Sequence, residues 1–273
     1  MADTKISQKE KLSKRASDWT KQMEETQFGK IQTAVLESKI YLHDLHNNKI
    51  RNDRTYPNFI FANAGSVEAL FDDRTVTGKT CILNYASFKN PGGQFLKGSP
   101  AQEENLCHQS FLYNVLKRFY RTYYAQNRQN TYECLYTNRA IYTPDITFWC
   151  NHELVENIDL ENTLHKDCDV LTCAAPNRVS AQKYYGKTDS ECYDALLSRM
   201  RFMKDILEEK EVDTFITGAW GCGVFGGDID ELIDVTKRTF KKTTVKNIIC
   251  AVPGDDENAQ KIKEFCLMKN SKR

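Results

Sequence analysis

Apolar positions in this chain change period repeatedly. Between residues 30 and 46, Ile31, Val35, Leu36, Ile40, Leu42 and Leu45 recur at roughly helical spacing and predict a leading helix. Asn58 to Asn63 predicts a short strand, Ser66 opens a helical turn through Leu70, and Thr80 to Tyr85 predicts a second strand that feeds Asn90-Pro91-Gly92-Gly93. From Ser99 to Tyr124 one long helix is expected, with Leu106, Phe111, Leu112, Val115, Leu116 and Phe119 on its buried face. Ser99 suits its N-cap, Pro100 its first position, and Gln102 the place of a capping-box residue. Ala140 to Tyr142 and Ile146 to Trp149 are strand-like pieces around Pro144-Asp145, without a clear order.

The second half is more regular. Asp169 to Ala175 predicts a strand that stops at Pro176-Asn177, and a helix follows over 191–210. Strands over 214–218 and 247–252 alternate with helices over 229–240 and 258–268. Such alternation predicts a layered α/β domain whose ligand crevice forms from loops at the strand ends. No repeat or low-complexity linker divides it, so a single domain over 26–273 is expected, preceded by a Lys-rich polar extension over 1–25 that is flexible or helical.

Composition narrows the function more than the fold. With 38 Lys and Arg against 37 Asp and Glu, the formal charge is +1, so an anionic ligand must be bound locally rather than drawn by the whole surface. The 10 cysteines are scattered, without a C-x-x-C pair, and read as buried thiols of a reducing compartment. Neither a signal-peptide core nor a membrane-length apolar run is visible, and an intracellular protein is expected, in cytoplasm or nucleus.

Two loops carry the candidate chemistry. Gly221-Cys222-Gly223-Val224-Phe225-Gly226 matches G-x-G-x-x-G between a predicted strand and helix. A dinucleotide-binding unit needs an acidic residue about 20 positions later on a second strand. Lys241-Lys242-Thr243-Thr244 stands there instead, which disfavours hydride transfer. Backbone glycines still let a diphosphate approach, and amides at a helix start would help solvate it. The other loop joins a glycine turn to Glu103 and Glu104, which sit next to each other in a first helical turn. Their side chains should diverge by roughly 100° and take different tasks, one orienting a sugar hydroxyl and one reaching a glycosidic oxygen. Capping and the helix dipole alone also favour acids there.

Taken in order, these motifs resemble the microbial-type poly(ADP-ribose) glycohydrolases of the macrodomain superfamily, whose signature is GGG, a short spacer, then QEE. This chain has Gly92-Gly93-Gln94, seven residues, then Gln102-Glu103-Glu104. The resemblance extends through Asn84 to Ala86, Ala174-Ala175-Pro176-Asn177 and Gly218 to Gly226. It implies a three-layer α/β/α macrodomain-like sandwich with a mixed central sheet, acting as a glycosidase on ribose–ribose bonds without metal or cofactor. On that resemblance Glu104 is the general acid/base and Glu103 its neighbour holding ribose hydroxyls. Gly92, Gly93 and Gln94 line the catalytic loop, Asn84, Asn90 and Gln102 support it or touch ribose, and Gly221, Cys222, Gly223, Val224, Phe225 and Gly226 cradle the diphosphate. Residues 63–67 are the candidate adenine contact. The implied partner is poly(ADP-ribose) or an ADP-ribosylated macromolecule, with a monomeric enzyme releasing ADP-ribose. Gln94 departs from the pattern by replacing the third glycine. If that position needs positive φ, a side chain is strained there. A mono-ADP-ribosyl hydrolase and a catalytically weakened ADP-ribose-binding module therefore stay open.

The remaining candidates are weaker. His43 and His46 lack the carboxylate or thiol partners of a metal site, and Cys107 with His108 reads as packing rather than as nucleophile and base. Cys222 stands where a helix-start loop would lower a thiol pKa, though packing beside the diphosphate is the simpler reading.

Overall fold

In the computed structural model, which describes residues 7–45, 53–155 and 158–270, the β-branched and aromatic segments form one seven-stranded mixed sheet. The strands are β1 (Lys39–Tyr41), β2 (Asn58–Ala62), β3 (Thr80–Tyr85), β4 (Ala140–Trp149), β5 (His165–Cys173), β6 (Thr214–Thr217) and β7 (Asn247–Ala251). Their order is β1-β4-β5-β3-β6-β7-β2. The run β5-β3-β6-β7-β2 is parallel, and β4 and β1 add an antiparallel edge. Pro144 cannot donate to a ladder, and the register of β4 shifts between Thr143 and Ile146, with Asp145 at φ 52°.

Side chains alternate across the sheet and fill two cores. Phe59, Cys81, Leu83, Phe215 and Ile248 face one side, where helices α8 (Asp189–Glu209), α9 (Ile229–Thr239) and α10 (Glu257–Asn270) pack. Ile82, Val170, Ile216 and Ile249 face the other. That side is covered by α1 (Gln8–Thr26), α2 (Phe28–Glu37), α3 (Ser66–Leu70), α4 (Gln102–His108) and α5 (Leu112–Leu116). The result is the three-layer α/β/α arrangement expected. Among the described residues no helix is long and apolar enough to cross a membrane.

Of the two states open to the polar start the structure shows the helical one, and several other sequence expectations change. The polar start is a helix, α1, that buries Ala16, Trp19 and Met23, and Trp19 Nε1 donates to the Ser110 carbonyl at 2.8 Å. The leading helix expected over 30–46 ends at Glu37, because Lys39, Ile40 and Tyr41 find antiparallel partners in Tyr142, Ile141 and Ala140. The apolar residues there satisfy either period, and only a partner strand decides between them. His46 lies outside the described residues.

The long helix expected over 99–124 is broken. Its first segment, α4, ends where Trp149 donates its amide to the Gln109 carbonyl at 2.8 Å and Ser110 bridges to Phe148. Beyond α5 the chain passes through a 3-10 turn and a π-helical turn over Tyr120–Tyr124 into α6 (Ala125–Gln129). Nor is Ser99 the N-cap: that place belongs to Ala101, with no side-chain cap. A further helix, α7 (Arg178–Tyr185), was not expected from sequence; Asn177 caps it by accepting from the Ser180 amide at 3.0 Å.

Candidate active site

Strand β3 delivers Asn84, fully buried, to the carboxyl end of the sheet, and the chain then arches as residues 86–94 over the first turn of α4. Both acids of that turn are buried, Glu103 to 3% and Glu104 to 5% exposure. Glu103 Oε2 accepts from the Ser87 amide at 2.7 Å and Oε1 from Asn84 Nδ2 at 3.2 Å. Glu104 Oε1 accepts from the Gln94 amide at 2.7 Å. Loss of water on burial and the neighbouring Glu104 charge push the Glu103 carboxyl up to about 8, against the lowering effect of its hydrogen bonds.

The two side chains do not part as their sequence adjacency suggests. A methyl group built on Gly93 would lie 2.6 Å from Glu104 Oε1 and 2.9 Å from Glu103 Oε2, so both carboxylates converge on this one residue. Although their Cβ atoms leave the helix in different directions, each side chain bends toward an amide of the overlying loop. Gly93 has φ 59° and Gly92 φ 63°, so both need the left-handed region. A methyl on Gly92 would meet the Tyr113 ring at 2.7 Å. Gln94 sits at φ −110°, an ordinary value, with its side chain exposed. The third position of the turn therefore does not require glycine, and the strain foreseen there is absent.

Gln102 braces the site through three hydrogen bonds. Its Oε1 accepts from the Tyr85 amide at 2.9 Å, and its Nε2 donates to the Leu83 carbonyl at 2.9 Å and Ser66 Oγ at 3.1 Å. Asn90 likewise supports the loop: its amide donates to Ser87 Oγ at 3.1 Å, and its Oδ1 accepts from Arg128 Nη2. Asn127 and Arg128 of α6, which sequence reading missed, hold the loop through the Phe88 and Lys89 carbonyls, each at 2.9 Å. A polar pair after a broken helix leaves no periodic signal that would have found them.

The glycine loop after β6 closes on itself. Gly227 donates to the Gly221 carbonyl at 2.9 Å, and Gly226 to the Gly223 carbonyl at 2.9 Å. Gly221, at φ 84°, passes so close to Ala175 that a methyl would come within 2.9 Å of its Cβ. Buried Trp220 anchors the loop by donating Nε1 to the Cys173 carbonyl at 3.2 Å. Gly223 faces open space and Val224 is 91% exposed. The start of helix α9 is already occupied. Its N-cap, Asp228, already accepts from the Asp230 and Glu231 amides at 2.8 and 3.0 Å, and those two residues add acid to the first turn. Burial together with Asp228 and Glu231 also pushes the Cys222 thiol up to about 12, opposite to the effect a helix start would have.

An aromatic chain joins the two loops. Phe88 stacks on Tyr136 with ring centroids 4.2 Å apart, and Tyr136 meets Phe225 edge-on at 6.2 Å. Tyr136 belongs to a segment in which Tyr132, Glu133, Cys134 and Tyr136 all have positive φ. Buried Arg199 ties this segment down through the Leu135 carbonyl and Asn138 Oδ1. Side-chain type gave no hint of these backbone values. On the other flank, Gly65, Ser66, Glu68, Tyr85, Gln102, Ala219 and Val252 are among the residues lining a 330 Å³ cleft at the ends of the parallel strands. Two of the 63–67 candidates for adenine contact stand in that wall. His108 stands apart: Arg15 packs against its Nδ1 at 2.8 Å, and burial holds its ring down to about 3. Among the described residues no group of His, Cys, Asp and Glu forms a metal site.

Fold and site together define a macrodomain-like α/β/α protein with a buried, converging carboxylate pair in the first turn of α4. The family model for the microbial-type PARG catalytic domain matches residues 7–151, more than half of the chain, and the chain belongs to that family of glycohydrolases. Similar solved structures include the poly(ADP-ribose) glycohydrolase of Thermomonospora curvata, 21% identical with a TM-score of 0.79, over 94% of this chain and 98% of that one. The same enzyme bound to the inhibitor ADP-HPD gives 0.78 at 21% identity, over 94% and 99%. The Deinococcus radiodurans enzyme in complex with ADP-ribose is 23% identical with a TM-score of 0.72, over 89% and 98%. No curated protein matches the chain.

Proposed function

We propose that residues 26–273 form the catalytic unit of a poly(ADP-ribose) glycohydrolase in which Glu104 is the general acid/base. The observation that carries this reading is the convergence of Glu103 and Glu104 on Gly93 beneath the 86–94 loop. With Oε1 held by the Gln94 amide, Glu104 presents Oε2 to the substrate. With the negative charge of the bound diphosphate favouring its neutral form, Glu104 gives its proton to the departing ribose 2′ oxygen as the C1–O bond breaks. The carboxylate left behind then takes a proton from the water that attacks the oxocarbenium-like carbon.

Glu103, fixed by Asn84 and Ser87 and kept largely neutral near pH 7, orients the ribose hydroxyls and adds little negative charge beside an anionic ligand. The backbone of Gly221 to Gly226 holds the diphosphate, with Phe225 against the distal ribose and Tyr136 behind it. The partner is poly(ADP-ribose) or an ADP-ribosylated macromolecule, and ADP-ribose is the product.

A Glu104→Gln protein should bind ADP-ribose as the wild type does and release almost none from polymer. Turnover within about threefold of wild type would remove Glu104 from the acid/base role.

A further inference from the structure

All 10 cysteines are free, and seven are buried, which leaves Cys134, Cys150 and Cys222 partly exposed. Of these three, Cys150 stands beside a base. Its Sγ lies 3.2 Å from His152 Nε2, and the other ring nitrogen, Nδ1, faces Glu68 Oε1 at 3.7 Å. The order thiol, imidazole, carboxylate is that of an activated nucleophile. The imidazole is steered from two sides, by Glu68 and by the edge of Phe71 at a ring separation of 6.4 Å. The thiol is placed by the end of β4, where the Cys150 amide donates to the Leu164 carbonyl at 2.8 Å. A proton on Nδ1, toward the carboxylate, leaves Nε2 as the acceptor for the thiol hydrogen.

We propose that Cys150, activated by His152 and Glu68, is a modification site that reacts with hydrogen peroxide. His152 Nε2 takes the thiol proton, and the thiolate attacks one peroxide oxygen as the O–O bond breaks. The departing hydroxide collects the proton from His152, so the products are a sulfenic acid and water. Sulfur is oxidised by the same two electrons that reduce the peroxide. The site adjoins the ligand cleft: Glu68 lines it, and the other Glu68 oxygen, Oε2, accepts from the Gly65 amide at 2.6 Å in the same wall. The state of the thiol is thus connected to the cleft by one imidazole and one carboxylate. Cys222, whose thiol is pushed up to about 12, and Cys134 serve as internal controls on the same molecule.

The test exposes the full chain to limiting hydrogen peroxide with dimedone present and quantifies adducts by peptide mass spectrometry. Cys150 should carry adduct at least about fivefold ahead of Cys134 and Cys222 in the wild-type protein, and His152→Ala should bring it down to their level. Glu68→Gln should lower it by a smaller factor. Equal adduct on Cys134 and Cys150 overturns the proposal without recourse to any variant. So does an adduct rate at Cys150 that His152→Ala leaves unchanged.

Discussion

The backbone amide of Gln94 donates to Glu104 Oε1 at 2.7 Å, so the residue that departs from the glycine pattern is also the one that positions the proposed acid/base. The contact uses main-chain atoms only, at φ −110°, and the side chain points outward. Gln94→Gly should therefore keep this hydrogen bond and leave kcat within about twofold, since the proposed chemistry does not use the side chain. KM for polymer against singly ADP-ribosylated substrates is where a difference should show. A collapse of kcat in steady-state assays of this variant would contradict the assignment.

Gly93 has no such latitude. In Gly93→Ala the new methyl meets both carboxylates, at 2.6 and 2.9 Å, and the backbone is left at φ 59°. The left-handed conformation alone costs about 1–2 kcal/mol, and displacement of the acids adds to it. Melting of the ligand-free proteins should show Gly93→Ala destabilised and Gly223→Ala close to wild type, because a methyl on Gly223 meets open space. Activity of Gly93→Ala should fall at least about a hundredfold, given how sharply rates depend on placement of catalytic groups.

Glu103 makes stability depend on pH in a stated direction. Its carboxyl titrates at about 8 in the folded protein against 4.5 as the ordinary value. Between those values the folded state keeps a proton that the unfolded chain has lost, so stability falls as pH rises through this window and levels off above it. The effect is at most a few kcal/mol. Glu103→Gln cannot titrate, so its melting temperature should fall less than that of the wild type between pH 5 and 8. Parallel curves for the two proteins would show that Glu103 is ionised throughout.

Trp19 is the main apolar anchor of α1. It is 5% exposed, meets Trp149 edge-on at 5.9 Å, and donates to Ser110 next to the end of α4. Trp19→Ala should destabilise the protein by about 3–5 kcal/mol, as for other buried aromatic truncations. Denaturant titration checks it; a loss under about 1 kcal/mol would mean that α1 is only loosely attached.

The strands of the parallel run and the two glycine loops are legible in the order of residues alone. A buried parallel strand reads as a short apolar run bounded by turn residues, and Thr80–Tyr85, Thr214–Thr217 and Asn247–Ala251 emerge where that signal lies. Residue order also placed the acids at the start of α4, since the signature spacing is covalent. What it left undecided were the choices made by distant partners. Ile40 and Tyr41 became a strand because β4 lies alongside, and the helix expected to run through Ser110 stopped because Phe148 and Trp149 claimed its backbone.

The site followed the same division. Residue identities at Glu103, Glu104 and Gly93 were legible, but their convergence was not, because helical geometry fixes only where each Cβ leaves the backbone. The amides of Ser87 and Gln94 decide where the carboxylates end. Tyr136, Asn127 and Arg128 stayed hidden for a related reason: each acts through backbone conformation or contacts across the fold, and neither is encoded in local periodicity.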